Sequence, residues 1–145
     1  MKKITPFLWF DKQAEEAARF YVSIFKNSKV ISVSPMITTF VLDGQEFMAL
    51  NGGPQFKFTE AISMYVDCAT QEEVDSLWIK LSAGGQTGRC GWLKDKFGLS
   101  WQIVPSGLRE LMQDKNPEKS KRVMEALLKM DKLEIQGLEK AFRGE

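Results

Sequence analysis

The chain has 145 residues, of which 43% are hydrophobic and 27% charged, and its formal net charge is +1. This length suits one folded domain with an apolar core, and the composition is that of an ordinary globular protein. So small a net charge offers no field for nucleic acid or an acidic membrane, and no apolar run approaches the ~20 residues of a membrane helix. We predict a single domain over residues 1–145, located in the cytoplasm, with no nucleic-acid and no membrane partner.

The first half of the chain predicts a strand, a helix and three further strands. Residues 4–10 are apolar and end at Asp11, a plausible N-cap for the helix that follows. Alanine and larger apolar residues recur at helical spacing as far as Phe25. The Asp43-Gly44 pair then predicts a tight hairpin between the last two strands. The three strands are predicted over residues 30–33, 36–42 and 45–50.

The second half repeats this order. A strand over residues 61–66 leads into a helix, which Thr70 and Glu73 begin with the spacing of a capping box. The buried stripe of this helix is formed by Val74, Leu77, Trp78 and Leu81. Two strands follow, over residues 88–94 and 99–104. Three C-terminal helices are then predicted, beginning near Ser106, Asn116 and Glu134.

The repeated order predicts an α+β fold of two modules, residues 1–54 and 55–105, with a helical extension over residues 106–145. The strands are apolar at nearly every position, so both faces of the sheet should be covered. Helices can cover one face. The other must be a closed core, a ligand cup or a partner subunit.

A resemblance to a known family is carried by residues 4–11 (ITPFLWFD), 14–17 (AEEA), 43–47 (DGQEF) and 91–102 (GWLKDKFGLSWQ). Through them the chain resembles the PhnB-like branch of the vicinal oxygen chelate superfamily, often labelled 3-demethylubiquinone-9 3-methyltransferase. That superfamily includes glyoxalase I, bleomycin-resistance proteins and extradiol dioxygenases. The resemblance implies two βαβββ modules that form a curved mixed sheet cup. It also implies a homodimer, unless the C-terminal helices cover the cup and leave a monomer.

The resemblance also predicts whether a metal is bound. Metal-dependent members hold the ion with four His or Glu ligands on the first and fourth strands of each module. In this chain those positions fall at Pro6, Ala49, Ala61 and Gln102. The sequence has no histidine, Pro and Ala have no ligand atom, and a neutral amide is a weak ligand for such ions. We therefore predict a protein without metal and without cofactor.

The same alignment sorts the strand side chains by face, because strand residues alternate. The predicted cup is mostly apolar with a few neutral polar groups, which is typical of a small-molecule site. Its candidate ligand-binding residues are Leu8, Phe10, Phe47, Asn51, Ser63, Tyr65, Trp92, Ser100 and Gln102. Trp92 and Lys94 share a face, but the pattern does not decide which. The side chains predicted to face the helices are Phe7, Trp9, Met48, Leu50, Trp101 and Ile103.

Two functional classes follow from these residues. The favoured one is a metal-independent protein that binds an apolar or aromatic small molecule, because the chain lacks His, the usual general base near neutral pH. The alternative is an enzyme of the same superfamily. It could be the methyltransferase of the family label, acting on a 3-demethylubiquinone-like substrate, or a metal-dependent lyase or dioxygenase. No Gly-rich strand-to-helix turn for a nucleoside methyl donor is present. Cys90 has no His as a base, and Glu46 and Asp95 are expected at turns or at the rim.

Overall fold

The computed structural model describes residues 2–145 and divides the chain into two compact units. The first unit ends at Phe58, and the second runs from Thr59 to Glu145. The predicted C-terminal extension is therefore part of the second unit. None of the helices in the described residues is long and apolar enough to cross a membrane.

The first unit has the order strand, helix and three strands, as predicted. Its elements are β1 (Phe7–Phe10), α1 (Ala14–Ile24), β2 (Lys29–Val33), β3 (Ile37–Leu42) and β4 (Gln45–Asn51). The sheet order is β1-β4-β3-β2, in which β1 is parallel to β4 and the other pairs are antiparallel. Asp43 and Gly44 take positive φ values of 46° and 79° between β3 and β4. This backbone is the one that an Asp-Gly hairpin favours.

The second unit repeats the arrangement. Its first elements are β5 (Ser63–Cys68), α2 (Gln71–Ser82), β6 (Gln86–Thr87), β7 (Trp92–Lys94) and β8 (Ser100–Pro105). The sheet order is β5-β8-β7-β6, with β5 parallel to β8. The prediction of one strand over residues 88–94 was wrong, because Cys90 and Gly91 take positive φ values of 59° and 84° and turn the chain.

Both units thus confirm the α+β class and the βαβββ order. In residues 2–145 the strands form two four-stranded sheets, and the sheets are not joined into one. The predicted capping box of α2 is half formed: Glu73 N–H donates to Thr70 Oγ1, but Glu73 Oε1 accepts from the N–H of Ala69 and not from that of Thr70, the N-cap. The buried stripe of α2 is also as predicted.

Helix α1 covers one face of the first sheet, and the residues on that face differ from the prediction. The Tyr21 ring of α1 packs 6.3 Å from Phe40, and Phe40 stacks on Phe47 at 5.4 Å. Ala49 follows Phe47 on the same side and pairs with Leu8. Leu8, Phe10 and Phe47 are therefore buried beneath α1 and do not face away from it.

Helix α1 is capped from the sheet and not by Asp11. The N-cap position is Gln13, whose side chain makes no cap hydrogen bond. The first helical N–H, that of Ala14, donates to Asn51 Oδ1 at 2.8 Å, and Asn51 Nδ2 donates to Pro35 O. An asparagine at the end of β4 thus supplies the acceptor that an N-terminal helix N–H needs.

The C-terminal helices are α3 (Leu108–Met112), α4 (Pro117–Leu128) and α5 (Ile135–Arg143). Asn116 caps α4 as predicted, since its Oδ1 accepts from the N–H groups of Glu118 and Lys119. Ser106 does not cap α3, because its hydroxyl donates to Cys68 O. The helices share an apolar cluster with the end of β8, formed by Val104, Leu108, Val123, Leu133 and Leu138.

Candidate functional site

The face of the second sheet that points away from α2 carries most of the polar candidate residues. Trp101, Ile103 and Leu93 are buried on the α2 side, as predicted for the first two. Their strand neighbours must point the other way. In the central strand β8, the register pairs Gln102 with Tyr65 and Trp92, and it pairs Ser100 with Ser63 and Lys94. We call these six side chains the open face of the second sheet: Ser63, Tyr65, Trp92, Lys94, Ser100 and Gln102.

The register therefore assigns Trp92 and Lys94 to the open face, which the sequence pattern left undecided. A groove of about 230 Å³ lies on this face, and we call it the β7 groove. Its lining includes Glu60, Gln86, Thr87, Trp92, Lys94 and Ser100. The groove therefore combines an aromatic wall, an ion pair and a buried hydroxyl.

Ser100 supplies the buried hydroxyl of the β7 groove. The residue is 0% exposed, and its Oγ has no hydrogen-bond partner among residues 2–145. A buried polar atom without a partner costs about 1–3 kcal/mol, and such atoms in native proteins call for an explanation. A polar atom of a ligand in the groove would supply the missing partner.

Lys94 brings a cation to the same groove. Its Nζ lies 3.0 Å from Glu60 Oε1, and both side chains are substantially exposed. The hydrogen bond from Lys94 holds the pKa of Glu60 below its ordinary value. Because the pair faces water, either partner can exchange for another charged group at small cost.

The other polar side chains of the open face lie outside the β7 groove lining. Gln102 Nε2 donates to Ser63 Oγ at 2.9 Å, so these two predicted ligand contacts partly satisfy each other. Tyr65 is 50% exposed. It borders a separate polar depression of about 420 Å³, together with Asp67, Arg109 and Glu110.

The candidates in the first unit have structural roles instead. Leu8, Phe10 and Phe47 fill the core beneath α1, and the side chain of Asn51 caps that helix. The residues predicted to face the helix in β1 and β4 point away from it, and these are Phe7, Trp9, Met48 and Leu50. Trp9 illustrates the reversal, because its indole donates to Gly53 O and packs against Phe56 at 5.0 Å.

The four positions of the predicted metal set do not fit a divalent ion. Pro6 and Ala61 precede their strands, and Ala49 is fully buried on the α1 side. The Gln102 amide nitrogen donates to Ser63. In the described part of the chain, no three His, Cys, Asp or Glu side chains converge on a point where an ion could be held.

Sequence reasoning missed the roles of two carboxylates. Asp95, expected at a turn or at the rim, is 2% exposed and accepts from Phe97 N, Leu99 N and Trp101 Nε1. Glu46 lies inside β4, and its Oε2 is buried without a hydrogen-bond partner in residues 2–145. The aspartate at the head of the 95–98 turn was the available signal, since Asp side chains commonly accept from backbone N–H groups two residues on.

The family model described as 3-demethylubiquinone-9 3-methyltransferase matches residues 2–104. Among solved structures, the PhnB protein from Bacillus cereus is 38% identical, and the match covers 72% of this chain and 99% of that chain with a TM-score of 0.68. No curated protein matches the chain.

Two more distant structures share the fold alone. The fosfomycin resistance protein FosX from Listeria monocytogenes, complexed with Mn(II) and sulfate, is 17% identical. That match covers 70% of this chain and 88% of that chain with a TM-score of 0.52. A glyoxalase-related enzyme from Fulvimarina pelagi is 13% identical, with coverage of 74% and 91% and a TM-score of 0.51. The chain therefore belongs to the PhnB family, described as 3-demethylubiquinone-9 3-methyltransferase, on the glyoxalase and bleomycin-resistance fold.

Proposed function

We propose that this protein is a metal-independent binding protein for an apolar or aromatic small molecule, and that the β7 groove is its site. The observation that carries the proposal is the buried Ser100 hydroxyl, which lines a groove beside Trp92 and has no hydrogen-bond partner within residues 2–145. Small-molecule sites typically combine apolar walls with a few placed polar groups. The groove offers one aromatic wall, Trp92, and a lining that is otherwise more polar than the sequence predicted.

The groove offers little of what an enzyme of this superfamily would need. Among the described residues that line it, the only carboxylate is Glu60, which is paired with Lys94, and the chain has no histidine to act as a general base. Metal independence is supported by the residues at the four positions that hold the ion in metal-dependent members, which are Pro6, Ala49, Ala61 and Gln102. The family description names the alternative function, a methyltransferase that acts on a 3-demethylubiquinone-like ring. The planar substrate of such an enzyme would belong to the ligand class proposed here.

A ligand screen tests the proposal. Planar aromatic and quinone-like compounds are added to the wild type, and binding is measured by melting shift and calorimetry. Ser100→Ala should weaken binding of a hit by about 1–3 kcal/mol, because the ligand loses its buried partner. Ser23→Ala, on exposed α1 surface, should bind like the wild type. Equal binding by both variants, or no hit with the wild type, would refute the site.

We also propose that the protein is a homodimer in the cytoplasm. Support for a dimer comes from exposed apolar side chains on and after the edge strand β2, namely Ile31, Val33 and Met36. Support for a cytoplasmic location comes from Cys68 and Cys90, which are free thiols. Light scattering should give twice the chain mass of 16.5 kDa. A single-chain mass at micromolar concentration would contradict the dimer.

A further inference from the structure

We infer that the β7 groove selects a planar aromatic acid, in which the ring packs on Trp92 and the anionic group binds Lys94 and Ser100. This inference rests on the proposed function, because it names the ligand class of the same site. Lys94, Ser100 and Trp92 of the open face carry it, together with Glu60, the ion-pair partner of Lys94.

The first part is a pair of donors that point to the same place. Lys94 and Ser100 are directly paired across β7 and β8, and such side chains have Cβ atoms about 4.5–5.5 Å apart on one face. The ammonium donates three hydrogen bonds and the hydroxyl donates one, whereas a carboxylate only accepts. One carboxylate can therefore take a charge-assisted bond from Lys94 and satisfy the buried Ser100 Oγ with its second oxygen.

The second part is the counterion that an incoming anion would replace. Glu60 Oε1 lies 3.0 Å from Lys94 Nζ, and the two side chains are 64% and 39% exposed. Water-exposed pairs of this kind contribute little to stability. Glu60 thus keeps the empty groove electrically neutral and can turn towards solvent when a ligand carboxylate takes its place. A neutral ligand would leave the Lys94–Glu60 pair intact and gain nothing from it.

The third part is the flat wall beside the donors. Trp92 precedes Lys94 by two residues on β7 and lines the same groove, so the two side chains are about 7 Å apart along the strand. A ring that packs on the indole can hold its carboxylate near Lys94 and Ser100. The groove volume of about 230 Å³ is below that of most drug-sized sites, which favours a ligand of one or two rings.

Matched probes test the ligand class by calorimetry. Benzoate is compared with benzamide, and 2-naphthoate with 2-naphthamide, because each amide keeps the shape and loses the charge. With the wild type we expect each acid to bind about tenfold more tightly than its amide or better, since bonds to charged groups are worth more than neutral ones. Glu60→Gln should strengthen the acids severalfold and leave the amides unchanged.

Variants at the cation separate this inference from the proposed function. Lys94→Gln should abolish the preference for acids and leave amide binding intact, whereas Lys80→Gln, on exposed α2 surface, should preserve it. If acids and amides bind alike and Lys94→Gln changes neither, the anionic class is overturned while the groove remains a ligand site. If neither probe class nor any neutral aromatic compound binds the wild type, the proposed function itself fails.

Discussion

The Trp101 indole nitrogen donates a 2.9 Å hydrogen bond to Asp95 Oδ2, and both side chains are buried. The other carboxylate oxygen accepts from the backbone N–H groups of Phe97 and Leu99. One aspartate therefore ties the β7–β8 turn to the core. Because Lys94 precedes this turn and Ser100 follows it, the same carboxylate fixes the two groove residues relative to each other.

Asp95→Asn should destabilise the protein by about 1.5–3 kcal/mol, because an amide nitrogen would face the Trp101 N–H and a charge-assisted bond would be lost. Urea unfolding measures the change. Asp43→Asn is the matched control, since Asp43 has positive φ in an exposed hairpin and asparagine tolerates that conformation. Equal effects of the two substitutions would contradict the role of Asp95.

The two thiols should react very differently in the native protein. Burial, with added repulsion from Glu73 and Asp67, raises the pKa of Cys68 to about 12. At pH 8 only about one Cys68 in ten thousand would then be a thiolate, and the side chain is also inaccessible. Cys90 is partly exposed. A thiol reagent at pH 8 should label at most one cysteine per native chain and both after denaturation, and Cys90→Ser should remove the native reaction. Rapid native labelling of Cys90→Ser would refute the protection of Cys68.

Acid stability should depend on the ion pair between α2 and the segment before α5. Lys132 Nζ lies 2.8 Å from Asp75 Oδ1, and its hydrogen bond, with a second one from Gln71, holds the pKa of Asp75 below 3.8. A carboxyl group with a lowered pKa stabilises the fold at any pH above its ordinary pKa. This contribution is lost as the pH falls through the lowered pKa. Asp75→Asn should therefore flatten the melting temperature profile below about pH 4.

The pKa of Lys132, the partner of Asp75, is shifted in the opposite direction. Its pKa is raised, chiefly by the hydrogen bond to Asp75, so its contribution is present below 10.5 and is lost as the pH rises through the raised value. Between pH 5 and 9 the wild type and Asp75→Asn should show parallel profiles. Asp43→Asn again serves as the exposed control. A profile for Asp75→Asn that stays parallel to that of the wild type down to pH 2 would contradict the pair's role.

S-adenosylmethionine should not bind this protein. The sequence has no glycine-rich turn between a strand and a helix of the kind that holds a nucleoside cofactor. The one carboxylate among the described residues that line the β7 groove, Glu60, is paired with Lys94. Calorimetry at micromolar to millimolar donor should show no saturable heat. Micromolar binding at one site per chain would instead favour the methyltransferase that the family description names.

The sequence predicted correctly which side chains face the helix in the second sheet and assigned them to the wrong face in the first sheet. In β5 and β8, serine and glutamine alternate with large apolar residues, so the polar side chains marked the open face correctly. In β1 and β4 every residue from Phe7 to Phe10 and from Phe47 to Leu50 is apolar. Alternation then allows either set of side chains to face the helix, and the prediction assigned the two faces the wrong way round.

Contacts between distant residues account for two of the other misses. Asn51 caps a helix that begins 37 residues earlier, and Glu60 reaches Lys94 from the segment before β5. Neither contact has a local pattern, because each depends on how the strands pair. The C-terminal helices were predicted because apolar spacing is a local signal. Of their three predicted caps only Asn116 is present, since the side chain of Glu134 makes no cap hydrogen bond and Ser106 bonds Cys68 O instead.

The side chain of Gln71 at the start of α2 bonds the C-terminal segment twice. Its Nε2 donates to Leu133 O, and its Oε1 accepts from Ile135 N at 2.7 Å. The backbone N–H groups of Cys90 and Gly91 also donate into that segment. A fragment cut at residue 104, where the family match ends, would leave these groups unpaired and uncover Val104. The C-terminal segment thus completes the core of the second unit, and a fragment with the boundaries of the family match should be less stable than the whole chain.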